Sequence, residues 1–155
     1  MWRFAHNSHP LLRNVERHGV ELDNTCIMCS RLPEDGAHLF LKCKQVKQVW
    51  RAGSLERTRQ ALLLCQTPKD MLATIFKMPE PQKLRVLCLL WCWWSERNKV
   101  NQKKRRMSAE SLVASVNFTS MEWVEFLGRK EPEPKHAERW KPPPADYKNQ
   151  PGCCL

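Results

Sequence analysis

Cys26 and Cys29 form a C-x2-C pair, and His38 and Cys43 follow at H-x4-C spacing, so four metal-binding side chains fall within residues 26–43. Thiolates and a neutral imidazole are the donor set of a tetrahedral zinc site, and C-x2-C is a turn that aims two sulfurs at one ion. Protein would fill all four positions, which points to structure; a catalytic zinc keeps one position open for water or substrate. The alternative takes the cysteines as small buried hydrophobes and His38 as a surface imidazole, and needs four ligands to meet at these spacings by accident. The chain has eight cysteines, which in an oxidising compartment would suggest disulfides. The opening stretch "MWRFAHNSHPLLRNVERHG" lacks the apolar segment and small-residue cleavage site of a secretory signal, so the expectation is a reducing compartment, where clustered cysteines bind metal.

Other chemistry is thinner. The five histidines stand at 6, 9, 18, 38 and 136, and none joins a convincing Ser/His/Asp or Cys/His/Asn arrangement, so no enzyme is expected. Cys65, Cys88 and Cys92 have no histidine at ligand spacing and are expected to be buried thiols. The chain ends "GCCL", with no cysteine at the fourth position from the end, so it is not a prenylation signal. Lys103, Lys104, Arg105 and Arg106 form a "KKRR" cluster, read either as a nuclear-localisation or phosphate-binding patch or as a solvated helix end. Trp91, Trp93 and Trp94 cannot all face inward. They are read first as core or as a surface that another helix covers, with at least one left over; Trp93 and Trp94 are the candidates for an interaction face, which could stack on bases or pair with a helix.

The elements that must position these residues read as helices. "HPLLRNVERHG" starts at Pro10, carries Leu11, Leu12 and Val15 on one side and stops at Gly19. Inside the cysteine knot, "PEDGA" is turn chemistry. Val46, Val49 and Trp50 recur at helical spacing. "TPKDMLATIF" opens with Thr67 as N-cap, Pro68 at the first position and Asp70 completing a capping box. "PQKLRVLCLLWCWWSERNKVNQ" predicts a strongly apolar helix with Leu84, Leu87, Cys88 and Trp91 on one face. Ser108 caps a last helix with Leu112, Val113, Val116 and Trp123 inward and Gly128 at its end. The stretch 129–155 is rich in proline and charge and is expected to be a disordered tail.

The stretches "WRFAHNSHPLLRNVERHGVELDNTC" and "CSRLPEDGAHLFLKCKQVKQVW" resemble the zinc-binding region of plant reverse transcriptases from non-long-terminal-repeat (LINE-type) retrotransposons. The shared features are the tryptophan-arginine start, "HG" before the knot, the four ligands, "HLFLKC" and a following "VW". "LLWCWWSERNKVN" is similar to the tryptophan-rich helix that follows in those proteins, and "RWKPPPADYKN" to the lead-in to their RNase H domain. Retroviral zinc knuckles share the outer spacings but have a shorter middle. The resemblance implies a zinc-binding module. The polymerase carboxylates and the acids of RNase H have no counterpart here, so neither activity is expected. The sequence opens where the module opens, like a fragment with its own start codon.

The reading is a mostly α protein: a zinc-binding module over 1–66, a Trp-rich helical region over 67–128 packed on it, and the tail over 129–155. Lysine and arginine number 26 against 16 acids, a formal charge of +10, which favours a polyanionic partner. RNA or DNA is the expected ligand, with Lys42, Lys44, Lys47, Arg51 and residues 103–106 meeting phosphates. The other expectation is a protein-interaction module, self-associating or binding a partner, with an inhibitory or toxic role. No apolar run is long enough to span a bilayer. Nuclear or cytoplasmic residence is expected, with mitochondria second, since Glu16 is the first acid.

Overall fold

A computed structural model describes residues 2–128; the stretch 129–155, expected to be the tail, lies outside the described residues. The helices are α1 (Trp2–Ala5), α2 (Leu12–Arg17), α3 (Lys44–Ala52), α4 (Glu56–Leu63), α5 (Pro68–Phe76), α6 (Glu80–Asn101) and α7 (Ala109–Gly128), with a π-helical turn at His38–Lys42. Among the described residues there is no strand, only an antiparallel bridge between Thr25 and Pro33. The protein is mostly α.

Local chemistry explains three of the boundaries. Gly19 follows α2 at φ +86, a left-handed conformation that costs glycine little, and ends the helix. Thr67 and Asp70 exchange both bonds of a capping box at the start of α5: the Asp70 amide donates to Thr67 Oγ1 (3.1 Å) and the Thr67 amide to Asp70 Oδ2 (3.1 Å). The Ser111 amide donates to Ser108 Oγ (3.1 Å) before α7. In α3, Val46, Val49 and Trp50 are all buried, as their spacing requires. α4 carries no capping signal and no apolar stripe that announces it; it is fixed by tertiary packing through buried Thr58, Arg59 and Leu62.

One buried cluster runs from Phe4 and Leu11, through Leu39, Phe40 and Leu41 of the π-turn, to Leu112 and Val116 of α7. α6 is its axis, packing on α5 and α7, while α3 packs on the π-turn and α7. Val86, Leu87, Cys88, Leu89 and Leu90 are consecutive and all buried, so α6 is enclosed on several sides rather than along one stripe. This reverses the expected roles of the tryptophans. Trp91, placed inward by spacing, is 57% exposed, whereas Trp93, expected at an interaction face, is 2% exposed. Trp94 is half-buried. Trp123 is also not inward: from Met121 onward every residue of α7 is exposed.

Candidate metal centre

The four ligands come from two pieces of irregular backbone. The first is the turn enclosed by the Thr25–Pro33 bridge. There the amides of Cys29 (3.3 Å) and Ser30 (2.7 Å) donate to the Cys26 carbonyl, and Ser30 takes a left-handed φ of +52. The second is the π-turn. Its closing bond runs from the Cys43 amide to the His38 carbonyl, 2.7 Å, across five residues. The H-x4-C spacing is therefore one π-turn, and the wider turn brings residues five apart together where an α-turn would splay them. Asp35 Oδ1 accepts from the His38 amide at 2.7 Å and so starts the turn.

The ligand atoms of Cys26, Cys29, His38 and Cys43 all lie within 4.8 Å of one another. Cys29 Sγ is 3.3 Å from His38 Nε2, so Nε2 is the imidazole nitrogen turned toward the sulfurs and the one that would ligate an ion. A tetrahedron with metal–sulfur bonds of about 2.3 Å has sulfur–sulfur edges of about 3.8 Å, so a zinc ion would draw the group in only slightly. Cys26 and Cys43 are fully buried, His38 is 6% exposed and Cys29 is half-buried.

Of the sulfurs, that of Cys43 is the one prepared for negative charge. The Cys43 thiol is pulled down to about 5, first by the hydrogen bond from Cys26; the amides of Gln45 and Val46, at the start of α3, assist while burial opposes them. Cys26 is pushed up by the same bond and then by burial, while the amides of Met28 and Cys29 work the other way. Two thiols thus share one charge, and backbone donors already face both sulfurs. That donor set fits a thiolate-bound zinc ion, which would tie the two backbone pieces together.

Three buried donors hold the π-turn from outside. Its successive carbonyls at Leu39, Phe40 and Leu41 accept from Trp93 Nε1 of α6 (2.8 Å), Trp50 Nε1 of α3 (2.9 Å) and Arg59 Nη1 of α4 (2.8 Å). Trp93 is thus a strut of the ligand-bearing turn. Glu34, just before that turn, is fully buried and forms a two-pronged ion pair with Arg97 of α6. Its Oε1 also accepts from the Leu12 amide (3.2 Å). Turn chemistry in "PEDGA" gives no sign of this burial, and Arg97 is one of two arginines on α6, so nothing local marks it as the partner.

Of the expected phosphate-binding residues, Lys42 and Lys44 are exposed on either side of Cys43, Arg51 is exposed near the end of α3 and Lys47 is half-buried. Lys103–Arg106 lie exposed between α6 and α7, with Lys103 at φ +60. Arg106 Nη1 donates to the Met28 carbonyl at 3.2 Å, so it also ties that connection to the knot. Cys88 is a buried thiol, its pKa pushed up to about 11, chiefly by burial. Cys65 and Cys92, expected to be buried, are only half so.

No curated protein and no solved structure matches the chain. Residues 1–50, which hold all four ligands and end on the strut Trp50, match the family model described as zinc-binding in reverse transcriptase.

Proposed function

We propose that this chain is a zinc-stabilised, non-catalytic nucleic-acid-binding module of reverse-transcriptase origin, with a LINE-type retrotransposon as its source. The observation that carries the reading is a closed Cys3His set flanked by exposed Lys42 and Lys44, in a chain of net charge +10. Four protein ligands leave zinc no open position for chemistry, so its contribution is to folding. Exposed cations around a rigid knot suit phosphates, whose neutralisation releases counterions. The test is to load the full chain with zinc and titrate RNA and DNA oligonucleotides over a range of salt. Steeply salt-dependent binding with little sequence preference is expected. Absence of binding at low salt would remove the reading.

A second reading, a protein-interaction module, is favoured by α7. Phe118, Met121, Val124, Phe126 and Leu127 are each more than half exposed on that helix, an apolar surface of the kind that marks association. Oligomeric state by light scattering separates the readings, because apolar pairing barely responds to salt.

A further inference from the structure

Trp91 and Trp94 stand one turn apart on α6 and face the amino-terminal segment. Trp94 is packed in place: its ring centroid lies 4.6 Å from that of His9, and the Arg97 guanidinium sits 5.4 Å from its centre. Trp91, 57% exposed, offers a free aromatic surface. Between them runs a groove of about 520 Å³ walled by Phe4, His9 and Phe40, with Arg3 at its side. A second groove of about 480 Å³ shares those three walls and continues past Arg13, Arg17 and Lys42, with Asp35 as its one acid among the described residues. Arg13 and Arg17 are four residues apart on α2 and so share a face. The pair between Arg13 and Asp35 is 3.3 Å long and half exposed; such pairs hold weakly, and it leaves most of the guanidinium's donors for another anion.

We propose that the two grooves form one binding site for single-stranded nucleic acid, with an unpaired base stacked on Trp91 and adjoining phosphates on Arg13, Arg17 and Lys42. The inference rests on the nucleic-acid reading above and gives it a location that the knot lysines alone do not supply. A flat, free ring beside a cationic channel matches a ligand that alternates aromatic faces with negative charge. A duplex keeps its bases stacked on one another and cannot present one to Trp91. Burial, and after it the charges of the amino terminus and Arg3, lower the pKa of His9 and so favour its neutral imidazole.

The test uses zinc-loaded full chain and an oligothymidylate of about ten nucleotides, the scale of a small single-strand site, beside an abasic chain with the same phosphates. Trp91→Ala is expected to weaken binding of the oligothymidylate about 5- to 150-fold, the worth of one stacked base, with the salt slope unchanged. Trp91→Phe should recover most of that loss, and the abasic chain should bind the wild type and Trp91→Ala alike. The double change Arg13→Ala with Arg17→Ala should flatten the salt slope by about 1.4, two single-strand phosphates. If the wild type binds but Trp91→Ala and the abasic chain match it, the groove assignment falls while nucleic-acid binding stands. If the wild type binds neither oligonucleotide at low salt, both fall.

Discussion

Glu34 joins the knot to the long helix. Its carboxylate is fully buried with Arg97 as partner, and it accepts the first free amide of α2 as well. Removing one member of such a pair leaves an uncompensated buried charge, so Arg97→Met should destabilise the fold by about 3–5 kcal/mol. Replacing both, with Glu34→Leu added, should return part of that loss; denaturant unfolding of the three variants measures it. The ligands give a second test at this scale. Elemental analysis should find one zinc per chain, and chelation should unfold the knot because the site's binding energy is folding energy. His38→Ala should weaken zinc binding strongly, whereas Cys65→Ser, outside the cluster, should leave it intact. The four ligands are legible in the sequence because spacing is a local property. Glu34 is not, because its partner lies 63 residues away and a charged residue in a turn ordinarily faces water.

At the scale of elements, the π-turn explains why tryptophans accompany this metal site. A π-turn leaves its carbonyls without the partners an α-helix would give them, and buried carbonyls need donors. Trp50, Trp93 and Arg59 supply them from three different helices. Trp50→Phe keeps the ring but strands the Phe40 carbonyl. It should cost about 1–3 kcal/mol of stability and weaken zinc binding, although Trp50 is not a ligand; a competitive chelator titration reads the second effect. Helix starts with local chemistry, such as the Thr67–Asp70 box, are visible in the sequence; Thr67→Ala should cost about 1 kcal/mol. The phase of α6 is not. Periodicity assumes one wet side, and a helix with five consecutive buried residues provides no such stripe, so Trp91 and Trp93 exchange places. α7 departs from expectation for the opposite reason: its apolar repeat continues beyond the body it packs on, and Trp123 emerges into solvent with it.

For the molecule as a whole, the distribution of charge matters more than its sum. α7 contains Glu110, Glu122 and Glu125 and no lysine or arginine, so none of the cations behind the net +10 lies on it. Nucleic acid should therefore avoid α7, and any apolar association through α7 should be independent of nucleic acid. The cluster at 103–106 has to be divided before it is tested, because Arg106 braces the knot through the Met28 carbonyl. Changing all four residues to alanine would mix weaker phosphate binding with a loosened metal site. Lys103→Ala, Lys104→Ala and Arg105→Ala together, with Arg106 kept, should flatten the dependence of oligonucleotide affinity on salt by up to about 0.7 for each phosphate that these side chains neutralise, with zinc content and unfolding midpoint unchanged. Arg106→Ala alone should lower the unfolding midpoint. Phe126→Glu with Leu127→Lys should reduce any self-association and leave the salt slope where it was. If the triple change leaves the slope unaltered while the α7 pair abolishes both oligomers and function, the cations at 103–105 are a solvated connection and the working surface of the protein is α7.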